Sequence, residues 1–330
     1  MTGLYHIIIQ NSIVKYEFDI RRNITIIKGD SATGKTVLVN LVQEYEQNGI
    51  DSGITIDCDI PCRVINGNNW EDQLNTISNS IVFIDEGNRF VSSQDFAEYV
   101  KKGQNYYVIV TREKLDNLPY SVTEIYGIHS SGKYESLIPV YHEMYRIYDR
   151  RTIGESLKEI IHPSHLIVED SNSGYDFFCY VAEGLGNLSC ASAYGKSKIF
   201  DAIIANEKEG VLLVIADGAA FGPEMERVYE LIQSRPQIHL YLPESFEWLV
   251  LKSGIVRDSS LIDKLENTED FADSTLYFSW EQYYTKLLIA LTKKTYLAYN
   301  KQTLNSSYKN INVKKAILKV MQGIELDEER

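Results

Sequence analysis

Between the β-branched run Ile24-Thr25-Ile26-Ile27 and an apolar-periodic stretch at 37–45 lies Gly29-Asp30-Ser31-Ala32-Thr33-Gly34-Lys35-Thr36. No other feature limits the first half of the chain so strongly. Glycines at both ends let the backbone curve where a Cβ would block it. The turn then presents successive N–H groups, and the N-terminus of the helix that follows, to an anion. The run at 24–28 predicts a buried strand. The stretch at 37–45, with Val37, Leu38, Leu41 and Val42 on or near one face, predicts a helix ended by Gly49. In that setting the G-x₄-G-K-T spacing predicts a phosphate cradle made of Gly29, Asp30, Ser31, Ala32, Thr33, Gly34, Lys35 and Thr36. Lys35 is expected to reach the β- and γ-phosphates, and the Thr36 hydroxyl to ligate Mg²⁺.

A second motif answers the first. Ile81-Val82-Phe83-Ile84 predicts a buried strand beside the strand of the glycine loop, with Asp85 emerging at its carboxyl end. Ligands of open α/β sheets sit at such ends. Asp85 is the expected Mg²⁺ partner, and Glu86 the group that polarises the attacking water. Tyr106-Tyr107-Val108-Ile109-Val110 ends on Thr111-Arg112. Thr111 suits sensing of the γ-phosphate, and Arg112 suits either that role or a surface charge.

These residues resemble the P-loop NTPases of the additional-strand, catalytic-glutamate class, over about residues 1–140. The resemblance implies ATP and Mg²⁺ as cofactors. GTP is disfavoured, since the chain has no Asn-Lys-x-Asp guanine-reading motif. Only about 35 residues separate the loop's helix from Ile81, too few for the insert and signature motif of an ABC-type head. A minimal core is implied, whose turnover depends on a partner or on the chain's own second domain.

At 330 residues the chain suits two domains. With 44% hydrophobic and 24% charged residues, its composition is that of a globular α/β protein. Strands are predicted at 4–10, 13–20, 54–57 and 106–111, and a hairpin from 122–129 and 134–139. A helix at 142–157 is expected to lead out of the first domain. The fold expected for 1–145 is thus a parallel sheet with antiparallel edge hairpins, followed by a linker at 146–164. No apolar run approaches the length of a membrane helix, and no signal peptide is evident at the start, so the expected setting is cytoplasmic, away from membranes. Cys58 and Cys62 lack the second ligand pair of a structural zinc site, and Pro163 places His162 and His165 on a loop.

From 165 to 260, strands at 165–169, 188–191, 211–216 and 238–242 alternate with helices. This predicts a second parallel α/β domain. Three acids fall at strand or helix ends: Glu169, Asp217 and Glu247. Their order, with the turn Gly195-Lys196-Ser197-Lys198 between the first two, resembles a Toprim domain. The resemblance implies Glu169 in acid–base chemistry, and Asp217 and Glu247 as Mg²⁺ ligands for phosphodiester cleavage. Two departures stand out. Asp170 replaces the usual glycine, and Ala219 replaces the second acid of Asp-x-Asp.

The remainder, 261–330, reads as helical. The net charge of −13 argues against binding of nucleic acid over the whole surface. Yet Lys286, Lys293, Lys294, Lys301, Lys309, Lys314, Lys315 and Lys319 are interleaved with Tyr283, Tyr284, Tyr296, Tyr299 and Tyr308. Lysines for phosphates and aromatics for stacking suit a single strand. The functional expectation is an ATPase whose nucleotide state controls a Toprim-like effector acting on nucleic acid. The alternative is a nucleotide-dependent switch or assembly protein, alone or as a homo-oligomer, whose inactive second domain binds a protein partner.

Overall fold

A computed structural model of the chain describes residues 1–29, 33–131, 140–148 and 160–326. The architecture is mixed α/β, and the chain divides into two compact units. Met1–Tyr148 and Asn267–Ser279 form the first; Asp149–Glu266 and Trp280–Arg330 form the second. The expected C-terminal segment at 261–330 is therefore shared, because its Asn267–Ser279 stretch belongs to the first unit.

The first unit contains β1 (Tyr5–Gln10), β2 (Val14–Ile20), β3 (Ile24–Ile27), β4 (Thr55–Asp57), β5 (Cys62–Val64), β6 (Ile81–Ile84), β7 (Tyr106–Val110), β8 (Ile125–Ser131) and β9 (Val140–Arg146). They form one sheet in the order β4-β1-β2-β9-β8-β3-β7-β6-β5. The five strands from β8 to β5 run parallel to one another. The wing is mixed: β8–β9, β1–β2 and β1–β4 are antiparallel, while β2–β9 is parallel. The sheet is thus mixed and not purely parallel, its antiparallel pairs confined to the wing.

Every residue of β3, β6 and β7 is buried, as expected for strands covered on both faces. In β2 burial alternates, with Val14, Tyr16, Phe18 and Ile20 inside. Helix α1 (Lys35–Asn48) packs Leu38, Val39, Leu41 and Val42 into the same core as Ile7, Phe83 and Val108. As predicted, it stops at Gly49, whose φ of 57° favours glycine.

Two expectations change here. β6 does not lie beside β3, because β7 pairs with both; three equally apolar runs leave their lateral order open. The expected helix at 142–157 begins as strand β9. Val140 and His142 are buried and Glu143 is exposed, a period of two that the polar outer residues mask. The rest of that helix, 149–157, and the strand at 134–139 lie outside the described residues. β5, which begins directly after Pro61, is not among the expected strands, since three residues are too short to show any period.

The second unit holds β10 (His165–Val168), β11 (Ser189–Ser192), β12 (Leu212–Ile215) and β13 (Ile238–Tyr241), all parallel in the order β11-β10-β12-β13. Helices Ser173–Leu185, Ile199–Ala205 and Gly222–Ser234 connect them. Helices Phe246–Lys252, Trp280–Thr292 and Ile311–Leu318 follow.

At the start of β8 the first unit buries a charge completely. Glu124 is fully buried, with Arg22 Nε 3.6 Å and Arg146 Nη2 4.0 Å from its Oε1. Burial raises the carboxyl's pKa, and the two guanidiniums oppose the rise. Arg22→Met is expected to cost about 3–5 kcal/mol by leaving the carboxylate without its nearest cation. Adding Glu124→Leu should recover most of that loss in urea unfolding.

Candidate functional site

The glycine loop leaves β3 and enters α1. Gly29 and Gly34 have φ of 128° and 92°, where L-residues are strained. Residues 30–32, between them, lie outside the described residues. Gly34 is additionally pinned from below. The Tyr16 hydroxyl donates to Gly34 O at 2.8 Å. Tyr16 stacks on His142 with ring centroids 4.6 Å apart and planes 8° from parallel. The two are direct partners across β2 and β9. A Cβ at Gly34 would stand 2.8 Å from Tyr16 Oη and 3.0 Å from His142 Cε1. Burial lowers the His142 pKa, so the ring is neutral at neutral pH and adds bulk rather than charge.

Lys35 is buried, and its ammonium donates to Gly29 O at 2.8 Å and Thr33 Oγ1 at 3.0 Å. It therefore curls over its own loop. The Thr36 hydroxyl lies 3.5 Å from Asp85 Oδ1. The two oxygens predicted to share a cation thus meet, although they come from different elements. Asp85 is steadied by Asn88, whose Nδ2 donates to Asp85 O at 2.9 Å. Glu86 is exposed and paired with Arg112 Nε at 2.8 Å. Thr111 is buried, and its Oγ1 accepts the Glu113 N–H at 2.9 Å, closing the turn after β7. Arg112 thus holds the expected base, and the Thr111 hydroxyl serves its own turn.

The supports Tyr16 and His142 escaped the sequence reading. The inward phase of Tyr16 is visible in the alternation of β2. Its partner is hidden because 142 falls in a segment that reads as helix.

In the second unit, Glu169 and Asp217 follow β10 and β12, which pair directly. Glu169 Oε2 accepts the Asp217 N–H at 2.8 Å. Burial pushes the Glu169 carboxyl up to about 7, and burial with the neighbouring carboxylates Glu281, Glu169 and Glu247 raises Asp217 well above its usual range. The turn after β11 contributes Lys196, which donates to Ala220 O at 3.0 Å. Glu247 is buried on helix Phe246–Lys252 and accepts the Tyr299 hydroxyl at 3.0 Å. Lys301 pairs with Glu281 and lies 3.8 Å from Glu247 Oε1. Although burial alone lowers an amine's pKa, Glu281, Glu247 and Asp217 hold the Lys301 ammonium above the usual lysine range.

The two departures from the Toprim pattern have structural reasons. Asp170 Oδ1 accepts the Tyr175 N–H at 2.8 Å and so caps the start of helix Ser173–Leu185. Ala219 is buried, and its neighbour Gly218 lies so close to the next strand's end that a Cβ would stand 2.7 Å from Leu242 O. A carboxylate at 219 would have to be desolvated. Among the described residues, no three His, Cys, Asp or Glu side chains are arranged to hold a metal ion.

The basic, aromatic pattern of the C-terminal region also resolves into two parts. Tyr283, Tyr284, Tyr299 and Tyr308 are core residues, and only Tyr296 of the five is exposed. Lys301 is engaged by carboxylates, and Lys309 stands 5.3 Å from the Tyr180 ring centre. These four tyrosines pack inward and offer no faces for stacking. Among the described residues no helix is long and apolar enough to cross a membrane.

Compared with known proteins, the chain matches no protein-family model and no curated protein sequence.

Two outcomes test these geometries. Gly34→Ala should cost about 1–3 kcal/mol of stability in urea unfolding, because the new Cβ meets Tyr16 and His142 and the φ there is strained, whereas Tyr16→Phe should cost only about 1 kcal/mol. The raised Glu169 pKa means that folding takes up a proton. That contribution to stability is complete below the ordinary value of 4.5 and disappears as pH rises through about 7. Glu169→Gln should therefore flatten this part of the pH profile and raise the melting temperature at pH 8 relative to wild type.

Proposed function

We propose that the first unit binds ATP at the 29–36 loop and hydrolyses it with Mg²⁺. The observation that carries this reading is the approach of Thr36 Oγ1 to Asp85 Oδ1, at the mouth of a loop whose glycines both adopt positive φ. A hydroxyl and a carboxylate side by side suit a hard divalent cation. Mixed sheets occur in many α/β proteins, so topology adds less than this pair does.

Each residue then has a task. Backbone N–H groups and the start of α1 receive the phosphates. Lys35 exchanges Gly29 O and Thr33 Oγ1 for phosphate oxygens and neutralises charge there. Thr36 and Asp85 would hold Mg²⁺, which would offset the negative charge of the phosphates. Glu86 orients the attacking water once it leaves Arg112. That exchange gives the site a built-in brake, since the base is paired at rest.

For the second unit the reading is a Toprim-like effector that acts on nucleic acid under nucleotide control. The ion pairs of Lys301 with Glu281 and Glu247 favour a second reading. In it, the second unit is catalytically inactive and serves as a nucleotide-dependent switch for a protein partner. Cleavage of plasmid or single-stranded DNA with Mg²⁺ or Mn²⁺, abolished by Glu169→Ala, would support the effector. Inactivity under both metals, with and without ATP, supports the switch.

The hydrolytic claim is tested by ATP turnover. Lys35→Ala and Asp85→Asn should each reduce it by roughly 10²-fold or more, and Glu86→Gln should reduce turnover while sparing binding. Unchanged turnover in Lys35→Ala would remove the claim.

A further inference from the structure

Residues from the end of β13, helix Phe246–Lys252 and helix Ile311–Leu318 line a cleft of about 650 Å³ in the second unit. That volume suits a small ligand or one segment of a larger one. Tyr241 and Trp248 bring aromatic rings to it, and Lys252 and Lys319 bring ammoniums. Lys252 Nζ stands 5.6 Å from the Trp248 ring centre, so cation and ring sit together. Both lysines are exposed, and among the described residues neither has a carboxylate partner. The Trp248 indole N–H likewise has no acceptor among them. No Asp or Glu lines the cleft, in a chain with 46 acids against 33 lysines and arginines.

The helix dipole favours a cation where each helix ends. That accounts for Lys252 and Lys319 singly. It does not account for the rings beside them, or for two cations on a cleft that holds no acid. Helix Ile311–Leu318 also lines a second cleft, of about 500 Å³, through Asn312 and Val313. There Arg257 and Tyr296 stand together, again without an acid. Tyr296 is 70% exposed, and Arg257 has no ion pair among the described residues. Asn312 and Ala316 are one turn apart, so both clefts follow the same face of the helix. Asn312 and Lys319 lie roughly 10 Å apart along its axis. Each cleft thus pairs a cation with an accessible ring. A single small anion would need only one such pair, and an acidic peptide would use the cations but not the rings. A polymer that repeats a phosphate and a flat base uses both, twice.

We propose that the two clefts form a track for single-stranded nucleic acid, with bases on Trp248 and Tyr296 and phosphates on Lys252, Lys319 and Arg257. The inference rests on the effector reading of the second unit and gives that reading a binding surface. Of the C-terminal lysines and tyrosines, only Lys319 and Tyr296 take part.

The test is fluorescence anisotropy of a labelled single-stranded oligonucleotide of about 12 residues, titrated with the full chain at several salt concentrations. Wild type should bind, more weakly as salt rises. Lys252→Glu with Lys319→Glu should weaken binding about tenfold or more at low salt and make the salt dependence shallower. Trp248→Ala should weaken it about tenfold, and Trp248→Phe should keep most of the affinity. If Trp248→Ala does not fold, the exposed lysines decide the matter. Lys101→Glu with Lys102→Glu, two exposed positions of the first unit, should bind like wild type. Wild type that binds no oligonucleotide would remove the effector reading together with the track. Wild type that binds, with the Lys252 and Lys319 variant binding equally well, would overturn the track alone. So would equal weakening by the Lys101 and Lys102 variant, or competition by polyglutamate or a free mononucleotide as strong as that of unlabelled oligonucleotide.

Discussion

Burial of β3, β7 and β6 on both faces is the constraint from which the first unit follows. Twelve-odd apolar side chains in three adjacent parallel strands must be covered above and below, and each strand must then end in a polar residue where the cover stops (roughly, at the carboxyl edge). Gly29, Thr111 and Asp85 stand just past those ends. The candidate site lies there because the ladder of backbone hydrogen bonds ends there. The loop itself is shaped less by its own sequence than by the wing of the sheet. Tyr16 and His142 fill the space under Gly34, so only glycine can sit there.

The second unit uses the same edge differently. Its four parallel strands also gather acids at their carboxyl ends, but these acids are neutralised within the chain. Glu169 takes a backbone N–H, Asp170 caps a helix, and Glu247 and Glu281 hold Lys301. Burial first, and then the neighbouring carboxylates, disfavour the charged forms of Glu169 and Asp217 and raise their pKa values. Lys301, paired with Glu281 and close to Glu247, offsets part of that cost.

Much of this was legible in the sequence because it depends on local pattern. The apolar runs at 24–27, 81–84 and 106–110 announce buried strands, and the glycine spacing at 29–34 announces the turn between strand and helix. What remained hidden depends on lateral order and on distant pairing. Nothing local says that β7 slips between β3 and β6, or that 142 faces Tyr16. The tyrosines of the C-terminal region misled for a related reason. Spacing alone does not separate an aromatic that packs inward from one that faces a ligand, and Tyr283, Tyr284, Tyr299 and Tyr308 pack inward. Lys301 read as one member of a basic run, because its acidic partners lie 20 and 54 positions away in the chain.

The central claim is that the 29–36 loop holds a nucleoside triphosphate. Equilibrium titration of the full chain with a non-hydrolysable ATP analogue, with and without Mg²⁺, tests it most directly. The account predicts saturable binding at one site per chain, strengthened by Mg²⁺ and lost with Lys35→Ala. Wild-type protein that does not bind the analogue, or Lys35→Ala protein that binds it equally well, would contradict the account.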